Sequence, residues 1–71
     1  MFIKLITSKG EKITARIKDV RLAKVEKLKS DYCCYFLIGR EELYSEESFG
    51  TYKEAENFIK NIFKKEDLLC N

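Results

Sequence analysis

The most strand-like segment of the sequence reads Tyr32-Cys33-Cys34-Tyr35-Phe36-Leu37-Ile38. Successive side chains of a strand point to opposite faces of a sheet, so this segment is apolar on both faces. Strands with this pattern usually lie inside a sheet that is covered on both sides. The segment therefore predicts a sheet whose two faces both need covering.

Downstream of this strand, the sequence predicts a turn followed by a short acidic strand. Gly39-Arg40-Glu41-Glu42 is typical of a turn, and residues 43–48 read Leu-Tyr-Ser-Glu-Glu-Ser. Charged side chains on a strand at the edge of a sheet discourage pairing with other chains. We therefore expect residues 43–48 to form an edge strand.

The C-terminal part of the chain predicts one amphipathic helix. Thr51 and Glu54 have the spacing of a capping box, which marks a helix start. The apolar side chains that follow have the i, i+3, i+4, i+7, i+8 spacing of one helix face. They are Ala55, Phe58, Ile59, Ile62 and Phe63. We expect residues 1–66 to form a single domain and residues 67–71 to follow as a C-terminal tail.

Upstream of the central strand, residues 2–7 and 11–18 flank Ser8-Lys9-Gly10 and predict a β-hairpin. A three-residue loop that ends with Gly10 in the left-handed conformation sets the register. This register gathers the apolar side chains on one face, whereas a one-residue shift would separate them. The predicted pairs are Thr7 with Glu11, Leu5 with Ile13, and Ile3 with Ala15.

Residues 20–29 are ambiguous, because their composition favours a helix. Ser30-Asp31, however, is a turn signal that leads directly into the strand over residues 32–38. A strand over residues 20–29 would be the natural hairpin partner, and we favour it. The sequence as a whole then predicts an α+β fold: an antiparallel meander of four to five strands, partly curled, packed against one C-terminal helix in the order β-β-β-β-(β)-α.

Composition argues against most kinds of enzyme. The 71 residues include no histidine, which is the commonest general base and metal ligand. Cys33, Cys34 and Cys70 lack the C-x₂-C spacing of zinc sites. We therefore expect a non-enzymatic protein with no catalytic residues, no metal and no cofactor.

The cysteines and the N-terminus also bear on location. An odd number of cysteines, two of them adjacent, favours free thiols in a reducing cytoplasm. The N-terminal residues lack the features of a signal peptide, and no apolar run is long enough to span a membrane. We expect a cytoplasmic protein that does not act at a membrane.

The formal net charge of +2 conceals an uneven distribution along the chain. Residues 1–40 hold ten Lys and Arg against four acids, which gives +6. Residues 41–71 hold four Lys against eight acids, which gives −4. This pattern gives either separate basic and acidic surfaces or two halves that interleave in space.

One helix covers only one face of the predicted sheet. Either the sheet curls into a partial barrel that buries both apolar sets, or the other face is a protein-binding surface, and the candidate residues are chosen on the second alternative. The expected partner is another protein or a second copy of the chain in a homodimer. Small size and a Lys-, Glu- and Ile-rich composition fit a phage or mobile-element accessory protein, for which inhibition of a host or defence enzyme is the expected role. The candidate residues are Phe2, Ile6, Tyr35, Leu37, Tyr44, Glu41, Glu42, Glu46 and Glu47.

The alternative hypothesis is a regulator that binds nucleic acid through the basic N-terminal hairpin. Spaced basic side chains neutralise phosphates, and Phe2 on the same face can stack on a base. The candidate residues are Lys4, Lys12, Arg16 and Lys18. Only three of the 14 basic residues are Arg, the preferred base-reading residue, so we favour protein binding.

Overall fold

A computed structural model describes residues 1–65 in full and residues 66–70 by their backbone. Its elements are β1 (Phe2–Thr7), β2 (Lys12–Arg16), a 3-10 turn (Ile17–Asp19), β3 (Val20–Lys27), β4 (Tyr32–Ile38), β5 (Glu41–Ser45) and α1 (Tyr52–Cys70). The predicted α+β fold with one C-terminal helix is confirmed. The predicted tail over residues 67–71 lies outside the fully described residues and stays a prediction.

The N-terminal hairpin has the predicted register. Leu5 pairs with Ile13 and Ile3 with Ala15. Gly10 has a φ of +86°, and its N–H donates to the carbonyl oxygen of Thr7 at 2.9 Å. The loop therefore closes as predicted, with glycine at the position that needs a positive φ.

Strands β3, β4 and β5 form two successive hairpins. Residues 20–27 are a strand that pairs with β4, which confirms the choice of strand over helix. The turn between β4 and β5 consists of Gly39 and Arg40 only, with a φ of +62° at Gly39. The predicted four-residue turn was too long, because Glu41 already pairs with Ile38.

The sheet has the strand order β2-β1-β5-β4-β3, which places β5 at its centre. The prediction of an edge strand over residues 43–48 is therefore wrong. Leu43 and Ser45 point into the core and are buried, whereas Glu46 and Glu47 lie beyond the end of the strand. The glutamates that favoured an edge strand lie at the start of β5 and just beyond its end, whereas the middle of the strand is buried.

The two edge strands, β2 and β3, follow each other in the chain and are joined only by Ile17–Asp19. In a flat sheet, edges four strand spacings apart would be separated by roughly 19 Å. The four residue steps from Arg16 to Val20 span at most about 14 Å. The sheet must therefore curl to bring its edges together, as predicted. Within the described residues β2 and β3 do not pair, so the curled sheet stays open.

The core lies between the curled sheet and α1. Strand residues Leu5, Phe36 and Leu43 are fully buried there and meet Ala55 and Ile62 of the helix. The helix begins as predicted, because the N–H of Glu54 donates to Oγ1 of Thr51 at 3.2 Å. α1 packs against β3, β4 and the 3-10 turn, so one face of the sheet is covered.

Ile17 holds the 3-10 turn against the rest of the structure. Its side chain is 1% exposed and belongs to the core. Its N–H donates to the carbonyl oxygen of Met1 at 3.0 Å, which attaches the turn to the start of β1. The corner between the two edge strands is therefore fixed by both apolar burial and a backbone hydrogen bond.

Replacing Ile17 with alanine is expected to lower the free energy of unfolding by about 3 kcal/mol, because it leaves a cavity at this corner. Urea denaturation followed by circular dichroism measures the change. Lys18→Ala is the matched control: Lys18 is exposed in the same turn, and its loss should cost no more than about 0.5 kcal/mol. Equal effects of the two substitutions would contradict the assigned role of Ile17.

Candidate functional site

The sheet face opposite α1 carries no other element within the described residues, and we call it the helix-free face. Strand alternation and the observed pairing assign its side chains. They are Phe2, Lys4 and Ile6 of β1; Lys12, Thr14 and Arg16 of β2; Leu22, Lys24 and Glu26 of β3; Cys33, Tyr35 and Leu37 of β4; and Glu42 and Tyr44 of β5.

One row of side chains crosses all five strands of the helix-free face. Ile6 pairs with Tyr44, Tyr44 with Tyr35, and Tyr35 with Lys24. Lys12 pairs with Ile6 on the other side and completes the row. The face therefore has an aromatic and aliphatic centre with a lysine at each end.

The two tyrosines at this centre hold each other in place. Their ring centroids are 5.7 Å apart in an edge-to-face arrangement. The Nζ atom of Lys24 lies 5.1 Å from the centroid of the Tyr35 ring, within the range of a cation–π contact. The Tyr35 hydroxyl donates to Oε2 of Glu42 at 3.0 Å. Tyr35 is consequently only 9% exposed although no other element of the described residues covers it.

The surroundings make both phenol groups harder to deprotonate than an ordinary tyrosine. Burial raises the pKa of Tyr35, and the hydrogen bond to Glu42 raises it further. Burial also raises the pKa of Tyr44, with a smaller contribution from the charge of Glu42. At neutral pH both hydroxyls therefore keep their protons and can donate hydrogen bonds.

An open groove of about 540 Å³ adjoins this row where β1, β3 and β5 end. Ile6, Cys33 and Tyr44 contribute apolar surface to it. Glu46 and Glu47 line it as well, together with Glu26 and Lys27 of β3. The bend after β5 thus brings the predicted acidic residues beside the aromatic centre.

The structure brings together most, but not all, of the predicted protein-binding residues. Ile6, Tyr35, Leu37, Tyr44 and Glu42 are neighbours on the helix-free face. Phe2, which is 65% exposed, lies at the far end of β1. Phe2 and Glu41 instead line a separate cavity of about 420 Å³, beside Arg16 and Ile38.

The predicted basic set is split in the structure. Lys4, Lys12 and Arg16 lie on the helix-free face, but Lys18 does not, because β2 ends at Arg16 and Lys18 lies in the 3-10 turn. Nε of Arg16 also donates to Oδ2 of Asp19 at 3.0 Å, so this guanidinium already has a carboxylate partner.

The charges of the two chain halves interleave in the sheet. Strand β5 and its flanking residues carry the acids, and β5 lies between the lysines of β1 and those of β3. Of the two arrangements that the uneven charge allowed, the structure therefore has the interleaved one.

The predicted protein-binding residues leave out three side chains of this face, Leu22, Lys24 and Glu26. All belong to β3, whose register follows from the Ser30-Asp31 turn. Pairing residues 20–27 with 32–38 about that turn would have placed Lys24 beside Tyr35. The signal was present, but the helical composition of this segment obscured it.

Cys34 lies on the opposite, core side of the sheet and connects three elements. Its N–H donates to Oγ of Ser45 at 3.0 Å, and its thiol donates to the carbonyl oxygen of Ala55 at 3.3 Å. The Ser45 hydroxyl in turn donates to the carbonyl oxygen of Glu47 at 2.8 Å. These bonds join β4 to β5, to the bend after β5 and to the start of α1.

The thiols of Cys33 and Cys34 are free and buried, as predicted. Burial raises the pKa of Cys34 to about 11, with a further contribution from Cys33. Burial also raises the pKa of Cys33, and Glu26 adds to that shift. Both are therefore protonated at neutral pH, whereas nucleophilic cysteines have a lowered pKa.

Within the described residues, no cluster of three or more Cys, Asp and Glu side chains has an arrangement that can hold a metal ion. None of the helices found there combines the length and apolar character needed to cross a bilayer. Comparison of the chain with known protein families, with curated proteins and with solved structures finds no match.

The burial of Cys34 predicts a loss of stability in alkaline solution. The thiol has a pKa near 9 in the unfolded chain and about 11 in the folded one, so the folded state favours its protonated form. Its contribution is complete below pH 9 and is lost as the pH rises through 11. We expect this group alone to lower the free energy of unfolding by about 2 kcal/mol over that range.

Urea denaturation at a series of pH values between 8 and 11, with a reductant present, measures this loss. Cys34→Ala is the control, because it removes the titrating group and should give a shallower decline. A decline of the same steepness in both proteins would show that Cys34 does not cause it.

Proposed function

We propose that this protein is not an enzyme and acts by binding another protein through its helix-free face. The main support is the row of Ile6, Tyr44 and Tyr35, which lies at the centre of a sheet face that no described element covers. Tyrosine is enriched in the cores of protein–protein interfaces, where its ring is buried and its hydroxyl pairs with polar groups.

The tyrosine centre is preorganised for binding. Ordering a side chain at an interface costs free energy, and a side chain that is already fixed avoids most of this cost. Tyr35 is fixed by the Tyr44 ring, the Lys24 ammonium group and the Glu42 carboxylate. A partner that docks on the accessible part of Tyr44 therefore meets a ring that Tyr35 already holds in place.

The acidic groove favours a partner with basic side chains. Glu26, Glu46 and Glu47 line the groove beside Ile6 and Tyr44. Within the described residues, none of these three carboxylates forms an ion pair with Lys or Arg. An approaching cation would be attracted there, and complementary charge of this kind chiefly sets specificity and association rate.

The same charges disfavour the alternative of nucleic-acid binding. Lys4 and Lys12 share their face with the acidic residues around β5, which would repel a phosphate backbone. Arg16 is already paired with Asp19. The narrower expectation, an inhibitor from a phage or mobile element that acts on a host or defence enzyme, stays a prediction.

A photo-cross-linking amino acid at position 37 tests the proposal in cells of the source organism. Leu37 is half-buried on the helix-free face, beside the tyrosine row. We expect ultraviolet irradiation to join this position to one defined protein. Adding Tyr44→Glu should reduce the yield of that adduct at least about tenfold, because it puts a charge at the centre of the interface.

The matched control places the same cross-linker at Asn57, which is exposed on α1. A second control, Asn61→Glu, adds the same charge as Tyr44→Glu on an exposed part of the helix and should leave the adduct unchanged. Circular dichroism must show that every variant is folded. Identical adducts from positions 37 and 57, or an adduct with nucleic acid alone, would contradict the proposal.

A further inference from the structure

The outer edge of β3 is a row of unpaired backbone groups. Within the described residues β3 pairs with β4 and with no other strand. The N–H of Leu28 donates to the carbonyl oxygen of Asp31 at 2.7 Å, so the backbone groups of Leu28 face β4. Backbone direction alternates along a strand, and therefore Ala23, Val25 and Lys27 direct their N–H and C=O groups away from the sheet.

Exposed apolar side chains gather along this edge. Leu22 is 48% exposed, Leu28 is 46% exposed, and Tyr52 at the start of α1 is 53% exposed. Phe2 is the remaining large apolar side chain with comparable exposure in the described part of the chain. The edge of β3 thus has both free hydrogen-bonding groups and apolar surface, the two features that favour addition of a strand.

The helix leaves space for an added strand. An open groove of about 300 Å³ runs between β3 and α1. Ala23 and Val25 line it from the strand, and Tyr52 and Ile59 line it from the helix. Side chains of an added strand that point toward the core side would enter this groove.

We propose that the strand added at this edge is β3 of a second copy of the chain, paired antiparallel about a two-fold axis at Val25. The segment reads Leu22-Ala23-Lys24-Val25-Glu26-Lys27-Leu28 and is complementary to itself about its centre. In this pairing Lys24 of each copy lies opposite Glu26 of the other. Leu22 of each copy likewise lies opposite Leu28 of the other.

The backbone and the side chains select the same register. Val25 directs its backbone groups outward, so it forms a hydrogen-bonded pair with Val25 of the second copy. Lys24 and Glu26 then form the alternate, closer pairs, in which cross-strand side chains interact most strongly. A shift of the axis by two residues would place Lys24 opposite Leu22, or Glu26 opposite Leu28.

The resulting dimer has one continuous sheet. A two-fold axis perpendicular to the sheet leaves the helix-free faces of both copies on the same side. Leu22 and Leu28, which are exposed in one copy, cover each other across the new strand pair. The dimer shares Lys24 and Glu26 with the proposed protein-binding surface, but the inference does not rest on the proposed function, because it is tested with the purified chain and involves no other protein.

Sedimentation velocity of the full chain over a range of concentrations, with a reductant present to prevent disulfides, tests the pairing. We expect a reversible species of twice the 8.4 kDa mass of one chain. Lys24→Glu should weaken the dimer at least about tenfold, because it replaces two opposite-charge pairs by two like-charge pairs. Glu26→Lys should do the same for the same reason.

The decisive variant combines Lys24→Glu with Glu26→Lys. It exchanges the charges and restores both opposite-charge pairs, so the dimer should recover to within about threefold of the original. Lys53→Glu, the same charge change on an exposed residue of α1, should have no effect. A monomer at every concentration, or a double variant no tighter than the single ones, would overturn the proposal.

Discussion

The connection Ile17–Asp19 joins the two edge strands of the sheet and is too short to cross it when flat. The sheet therefore curls, and the inward side chains of all five strands are brought toward one core. Ile17 lies in that core, and its N–H is bonded to Met1 at the start of the chain. This small domain relies on that corner, because a chain of this length has only a limited core to stabilise it.

The surfaces that we assign to binding follow from the same constraint. A single helix covers the inner side of the curled sheet, so the outer side keeps its own side chains at the surface. There the two tyrosines cover each other, and Tyr35 is buried although no other described element lies over that face. The curl also stops short of pairing β2 with β3 in the described residues, which leaves the backbone edge of β3 open. The short connection Ile17–Asp19 thus accounts for both the helix-free face and the open edge of β3.

Local sequence was sufficient for the features that depend on near neighbours. The hairpin register follows from Gly10 and from apolar alternation, and the helix start follows from Thr51 and Glu54. The position of β5 could not be read in this way, because its pairing with β1 joins residues about forty positions apart in the chain. Its acids lie at the strand ends, and its place inside the sheet rests on its pairing with β1 on one side and with β4 on the other.

The same holds for the helix-free face: its local features follow from the sequence, but its long-range neighbours do not. Alternation predicts the face of Ile6, and Tyr44 is a candidate because tyrosine is common at interfaces, but only the β1–β5 pairing makes them neighbours. Phe2 lies at the opposite end of β1 from Ile6, and Glu41 alternates with Glu42 and points to the other face of β5, so both line a different cavity. Lys24 and Glu26 belong to the helix-free face because β3 pairs with β4 at the edge of the sheet.

In the proposed dimer, β3 of a second copy completes a sheet that is incomplete in one chain. Amide hydrogen exchange measured by NMR at low and high protein concentration tests this claim residue by residue. The amides of Ala23, Val25 and Lys27 should exchange rapidly in dilute solution and more slowly as the concentration rises. The amides of Leu22, Lys24 and Glu26 should exchange slowly throughout. Equally rapid exchange at Ala23, Val25 and Lys27 at every concentration would contradict it.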